Sequence, residues 1–467
     1  MAAARSTARP FLSPTRLQAL VFALGLAVSG VLLLRSIAAG DQLNLLSRGW
    51  LLAREGRLVA FGNPGSSGGA APGALTSVLV GLPLTVWSDF RAPILPILLL
   101  QVLAYALLDR LLREAVAPRD RLVFAVLYWL SPARLYLSGL LWNPGYLCLF
   151  SALHLWTAFR QREKRSFGLS FLHVLALGLA AQLHASAVIL GLASLALLWR
   201  RYWRIHWGGA IAGGVASLAL LVPWFLALAR QPEMLPAGKG FPLRGLLLVF
   251  PTLRGVFYWL RDPTLAVAEK ISRLDFTEAF GPQVDRLLAP AGKLLLQGIA
   301  PLSLIPMLLA SLWLLRRARR AHRFRPWQPI QGSRAWLAGY ALWCFAATVA
   351  ASALSPTTVM WWQVVIVLHA ALLAPLLWLS ALLRSRRASL ARRGLVLYAG
   401  LALAVALALG FGAPQYRCTG RAAITFPLVS DHPMLHQLGI QNRCPYPLNV
   451  PGGWWPDVLP QGGPAPR

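Results

Sequence analysis

Runs of about 20 apolar residues recur along this chain, and no other feature restricts its fold as strongly. A helix needs roughly 20 such residues to cross the hydrocarbon core of a bilayer, with a usual range of about 17 to 25. Segments 17–38, 93–112, 122–141, 144–159, 167–183, 185–199, 208–229, 294–315, 335–354, 364–383 and 394–412 meet or approach that length. A further run, 74–86, has only 13 residues and suits a re-entrant or interfacial segment better than a span. The polar complement is thin: 13% of the 467 residues are charged, about half the share usual in a soluble globular chain. The first run exceeds a signal-peptide core and no small-residue cleavage site follows it, so it reads as a retained helix. The expected fold is an all-α polytopic membrane protein of about eleven transmembrane helices.

The basic residues orient these helices. A net charge of +30 and a pI near 11.6 would suit a nucleic-acid partner if the cations gathered in one domain, but they are distributed by membrane side, which argues for no nucleic acid. If 74–86 does not cross, residues 1–16, 109–121, 160–165, 200–206, 316–334 and 384–393 share one face. That face holds 26 of the 45 Lys and Arg and only 4 of the 15 acids. It is predicted to be cytoplasmic, with the amino terminus on it and the carboxy terminus across the membrane. Three outer segments remain: 40–91, 230–293 and 413–467. The expected organisation is a helical module 1–229 that includes the first outer segment, an outer substrate-binding loop 230–293, further spans over 294–412, and a small outer tail.

In the first outer segment, Leu43, Leu46, Trp50 and Ala53 recur near helical spacing with Arg48, Arg54 and Glu55 elsewhere on the wheel, so an amphipathic helix along the membrane surface is expected. The turn-forming stretch 62–69 reads as a mobile loop. Segment 230–293 interleaves cations, among them Lys239, Arg244, Arg254, Arg261, Lys270 and Arg273, with apolar patches, which suits a ligand with an anionic head and a lipid tail. Cys148 and Cys344 fall within helices as small apolar residues, whereas Cys418 and Cys444 lie in the outer tail, where an oxidising compartment would allow a disulfide.

No P-loop, dinucleotide fingerprint, HExxH or paired CxxC occurs, so any chemistry falls to isolated polar residues near the membrane face. Asp41 follows the first span at the depth of a lipid-linked phosphate, where a carboxylate can deprotonate an acceptor hydroxyl; alternatively it only ends the helix. Arg35 and Arg134 lie inside predicted spans near their outer ends, where they either bind a phosphate or snorkel to the interface. The turn Trp142-Asn143-Pro144 and the pair Gln182 and His184 would meet Asp41 at one mouth if the early helices pack together. His184 is a substrate or metal contact on this reading. His154, His173 and His369 lie deeper and suit helix–helix hydrogen bonds.

Asp41, the glycine-rich stretch 64–68 with Pro72-Gly73, Ser131-Pro132, Trp142-Asn143-Pro144 and Gln182-Leu183-His184 together resemble bacterial members of the GT-C superfamily of membrane glycosyltransferases, which includes dolichyl-phosphate-mannose-type protein mannosyltransferases and lipid A aminoarabinose transferases. The resemblance covers residues 16–224. It implies an inner-membrane enzyme that takes a sugar from a polyprenyl-phosphate donor and passes it, on the periplasmic side, to a lipid, glycan or protein acceptor among the membrane lipids. Asp41 matches the family's catalytic acid. Many relatives carry a second Asp where this chain has Asn143, so no cofactor is predicted to be required, and a divalent metal stays open. In the expected mechanism Asp41 takes the acceptor's proton while Arg134 and cations such as Arg244 and Arg254 stabilise the departing phosphate. Two rivals are an O-antigen polymerase or ligase, which has no need of an acid after the first span, and a transporter of lipid-linked substrates, which would show inverted repeats that the sequence does not display.

Overall fold

A computed structural model describes residues 13–38, 41–64, 70–230, 244–266, 274–322, 332–413, 434 and 437–440. The expected Cys418–Cys444 disulfide, most of the glycine-rich loop, and Lys239, Lys270 and Arg273 lie outside these residues.

The chain opens with α1 (Pro14–Arg35), whose start is set by the Ser13 hydroxyl accepting from the Arg16 amide at 3.3 Å and by Pro14 in the first turn, where no N–H is needed. Next come α2 (Asp41–Glu55), a two-stranded antiparallel hairpin of β1 (Phe61–Pro64) and β2 (Ala70–Pro72), and α3 (Leu75–Val86). The helices α4 (Ile94–Ala115), α5 (Pro118–Trp129), α6 (Pro132–Ser138), α7 (Asn143–Arg160), α8 (Phe167–Leu183), α9 (Ala187–Trp199), α10 (Trp207–Ala219) and α11 (Val222–Arg230) follow. After them lie α12 (Arg244–Leu248), α13 (Phe250–Arg261), α14 (Thr277–Lys293), a π-helical stretch Leu294–Ile299, α15 (Ala300–Leu302) and α16 (Leu304–His322). The last helices are α17 (Ser333–Leu354), α18 (Trp361–Val364), α19 (Leu368–Leu382) and α20 (Ala388–Gly412).

Among the described residues, six helices are long and apolar enough to cross a membrane, and a seventh span forms if α10 and α11, bent by 41°, count as one. These account for seven of the eleven predicted runs. The other four are helical but broken or shorter: 122–141 splits into α5 and α6, and α7, α8 and α9 have 18, 17 and 13 residues. The split has a local cause. Pro132 supplies no N–H to continue α5, and Ser131 caps the new helix by accepting from the Arg134 amide at 3.5 Å. Large apolar side chains such as Leu195, Ile211 and Val396 face outward, as lipid solvation requires.

Hydrogen bonds and ion pairs sort the loops into two ends. At one, Gln18 of α1 donates to Asp109 at the far end of α4 (2.8 Å), Arg121 pairs with the same carboxylate (2.7 Å), Arg160 pairs with Glu114, and Arg334 and Arg384 both reach the buried Asp120 at 2.8 Å. This arginine-rich end gathers the segments predicted to be cytoplasmic. At the opposite end the Tyr146 hydroxyl donates to Pro93 O (2.7 Å) and Asn143 Nδ2 to Leu183 O (3.0 Å). The 74–86 run starts and finishes at that second end, with Gly73 against Gln182 and Pro93 against Tyr146. It therefore does not cross. The described tail residues dock there too, Leu438 O accepting from the Phe90 amide and Gln437 from the Trp50 indole, each at 3.0 Å.

Two expectations change in the segment after α1. A small β-hairpin, Phe61–Pro64 paired with Ala70–Pro72, flanks the expected 62–69 loop, so residues 62–64 are strand rather than loop. And α2 is not an open amphipathic helix: nine consecutive residues, Leu43 to Leu51, are buried. Gly49 and Gly81 explain this, because a Cβ on Gly49 would stand 2.4 Å from a Val80 methyl and one on Gly81 3.0 Å from the Gly49 carbonyl oxygen. Their bare backbones let α3 lie directly on α2. Arg48, expected on the polar side, is fully buried and donates to Asn44 O (2.8 Å) and Phe61 O (3.2 Å), tying the hairpin to α2.

Candidate functional site

Asp41 is the first residue of α2 rather than the end of α1. A carboxylate there meets the positive end of the helix dipole, which favours its charge. The Trp142 indole Nε1 donates to Asp41 Oδ2 at 3.3 Å, and Asn63 Nδ2 of β1 donates to Asp41 O at 3.4 Å. Asp41 keeps contact with solvent, yet the protein gathered around it raises its carboxyl above the usual value; burial is the larger cause and the Trp142 hydrogen bond opposes it. Raised in this way, the ionised group is a stronger base than an ordinary surface aspartate.

Trp142 belongs to an aromatic wall. Its ring centroid lies 5.6 Å from Trp361 and 5.4 Å from Trp362, the two residues that open α18, and Tyr136 meets Trp361 edge-on at 5.5 Å. On the other side of Trp361 stands α13. Arg261 lies over the Trp361 ring at 5.7 Å and beside Asp262 at 3.4 Å, and Arg254 donates to the Tyr258 hydroxyl (3.1 Å from Nε) and to Met360 Sδ (3.0 Å). Spaced by two helical turns, these arginines share one face of α13. Of the two cations contributed by the expected substrate-binding loop, Arg254 is half-buried, whereas Arg261 is buried and paired with Asp262.

The other expected polar residues make their contacts with neighbouring segments. Asn143, which opens α7, is fixed by its bond to Leu183 O and leaves Oδ1 buried without a partner. Gln182 rests on Gly73, whose positive φ of 92° and missing Cβ permit the approach, and its Nε2 is likewise buried and unpartnered. His184 Nδ1 accepts from the Ser186 amide at 3.1 Å, so the neutral ring carries its proton on Nε2. Burial lowers His184 to about 4, which keeps it neutral at pH 7. With Nδ1 engaged and Nε2 protonated, His184 is a hydrogen-bond donor, and the expected metal contact does not suit it. Among the described residues no three His, Cys, Asp or Glu converge as a metal site.

Arg134 and Arg35 depart from expectation. Arg134 is buried inside the bundle, where its guanidinium donates to Tyr128 O (3.1 Å), Trp129 O (2.7 Å), Gln101 Oε1 (2.7 Å) and Ser29 Oγ (3.1 Å). These bonds close the carbonyls freed where α5 breaks, and they leave no face for a substrate phosphate. Arg35 donates to Gly410 O at 2.7 Å and lies 4.6 Å over Phe411, which places a cation at the negative end of α20. Arg244 begins α12, and its side chain lies outside the described residues. The sequence reading did not single out Trp361, Trp362, Asn44, Asn63 or Thr76. The Trp361-Trp362 doublet was the available signal.

The fold and site define a polytopic helical membrane protein with a perturbed carboxylate at one end of the bundle, walled by tryptophans and flanked by arginines. No family model matches the chain, and no curated protein matches it. Among solved structures, it is similar to the crystal structure of ArnT from Cupriavidus metallidurans bound to undecaprenyl phosphate, with 16% identity, a TM-score of 0.48, and coverage of 86% of this chain and 77% of that one. At that level the likeness assigns this chain neither a donor nor an acceptor.

Proposed function

We propose that Asp41 is the general base of a glycosyl transfer from a polyprenyl-phosphate carrier to a hydroxyl group on a lipid, glycan or protein acceptor. The acceptor oxygen bonds to the anomeric carbon as the bond from that carbon to the phosphate oxygen breaks. The acceptor's proton passes to Asp41, and polyprenyl phosphate leaves with the electron pair. Arg254, half-buried on α13, is the cation offered to the departing phosphate in place of Arg134. The carrier's tail would lie in lipid against the exposed apolar side of α12 and α13, at Leu246, Leu247, Phe250 and Leu253.

One observation carries this reading: a carboxylate raised by burial and held by Trp142 at the end of the bundle away from the arginine-rich loops. By the positive-inside rule that end faces the periplasm, where nucleotide sugars are absent and lipid-linked sugars are the available donors. The rival polymerase or ligase reading gives Asp41 no role. The test is reconstitution of the full chain in liposomes with radiolabelled polyprenyl phosphosugars and a total lipid extract as acceptor. Label should move to an acceptor with release of polyprenyl phosphate. Turnover of nucleotide sugars instead, or transfer undiminished in D41N, would overturn the proposal.

A further inference from the structure

A cavity of about 570 Å³ opens between the last turns of α16 and the first turns of α17, at the arginine-rich end of the bundle. Its volume falls within the range of small-molecule sites, about 300–1,000 Å³. From α16 it is lined by Trp313, Arg316, Arg317 and Arg320, which recur at spacings of three and four and so share one side of that helix. Ala335 and Ala338 of α17 face them, and their single methyls leave the space open.

The three arginines have no acid to meet. This face of the chain carries four carboxylates, and each is engaged elsewhere: Asp109 with Arg113 and Arg121, Glu114 with Arg160 and Arg162, Asp120 with Arg334 and Arg384, and Glu163 with Arg162. Among the described residues Arg317 lies over the Trp313 ring at 5.5 Å, and no carboxylate pairs with any of the three. Like charges gathered round one cavity repel, and an anion seated there removes that repulsion. Apolar surface continues from the cavity into the membrane. Trp313 lies one turn deeper than Arg316 and Arg317, at the interfacial level that tryptophans favour, and deeper still along α16 Leu312, Leu309 and Leu308 are exposed.

We infer that this cavity holds the headgroup of an anionic phospholipid from the cytoplasmic leaflet, a phosphodiester that carries no amine. The guanidinium fork matches two phosphate oxygens at once, and basic pockets between membrane helices on this side suit such heads. A zwitterionic head would bring its own cation against three arginines and lose the electrostatic gain. The acyl chains would run along the exposed leucines of α16. The site lies at the opposite end of the bundle from Asp41 and does not depend on the glycosyl-transfer reading.

Native mass spectrometry of the lipid-stripped full chain in detergent tests this with phosphatidylglycerol, phosphatidylethanolamine and phosphatidylcholine of the same acyl chains. Phosphatidylglycerol is expected to bind at least about tenfold more tightly than either zwitterion. R316Q/R317Q/R320Q should abolish that preference. R386Q/R392Q/R393Q, which removes equal charge from the same face outside the cavity, should keep it. A335F fills the cavity with its charges intact and should also reduce the preference, so the test stands even if the triple variant fails to fold. A preference that survives the cavity variants, or that the control variant loses equally, would reveal diffuse attraction to a basic face and overturn the inference. Displacement of phosphatidylglycerol by an equal concentration of glycerol 3-phosphate would make the occupant a soluble phosphate and overturn the lipid assignment.

Discussion

A general base must be ionised to act, and Asp41 sits where burial opposes ionisation. Transfer should therefore fall as pH drops through the raised value of this carboxyl, at a higher pH than an ordinary aspartate would set. The Trp142 hydrogen bond works the other way, so W142F should carry the acid limb of the kcat/KM profile to still higher pH; a limb that stays in place would contradict the assignment. Arg134 calls for the opposite kind of result. R134M strips the donor from the Trp129 carbonyl, a loss of about 1–3 kcal/mol when that group is left buried and unpaired, whereas Tyr128 O keeps the Ser131 amide at 3.3 Å. Melting in detergent should drop accordingly, with the donor KM of the folded fraction unchanged. Unaltered melting with a raised KM would return Arg134 to the phosphate. Asn143 and a donor-tautomer His184 give a metal little to hold, so chelation should leave turnover unchanged, which a chelator titration of the reconstituted chain checks.

At the scale of elements, the position of Asp41 depends on how closely α2 and α3 approach. Gly49→Leu would drive a side chain into Val80, an overpacking cost of about 1–3 kcal/mol, and shift α2 away from Trp142. Transfer should fall steeply, beyond what the accompanying drop in melting temperature explains; full activity would show that the α2–α3 contact does not position the base. This pair also marks where sequence reading stopped. A helix over 41–55 was legible from Leu43, Leu46 and Trp50. Its cover was not, because Leu45 and Leu51 on its other sides and the bare Gly49 become informative only beside α3. Arg254 and Arg261 show the same limit: two cations seven residues apart imply a shared helical face, but not that Trp361 and Met360 would lie beneath them. Arg134 misled because charge inside an apolar run signals function by default, whereas here the Ser131-Pro132 break created the carbonyls it serves.

Across the whole molecule, hydropathy and charge were the most legible features. All eleven apolar runs are helical, 74–86 returns to the end where it began, and the basic loops gather at one end through Asp109, Glu114 and Asp120. The Trp142-Asn143-Pro144 turn was expected near Asp41 from neighbouring helices, and the Trp142 indole does reach that carboxylate, while Trp361 and Trp362 lie far along the chain and left no local signal beyond their doublet. The two ends should face opposite compartments. With Cys418 and Cys444 replaced by serine, S88C should react with an impermeant thiol reagent from the periplasm and S385C only after lysis; the same accessibility for both would contradict the topology. The central assignment meets its most direct test in D41N, assayed for release of polyprenyl phosphate from a lipid-linked sugar. Loss of a general base predicts a fall of about 10²–10⁴ in kcat with carrier binding preserved. A variant that releases the carrier at close to the unsubstituted rate would show that Asp41 is not the base.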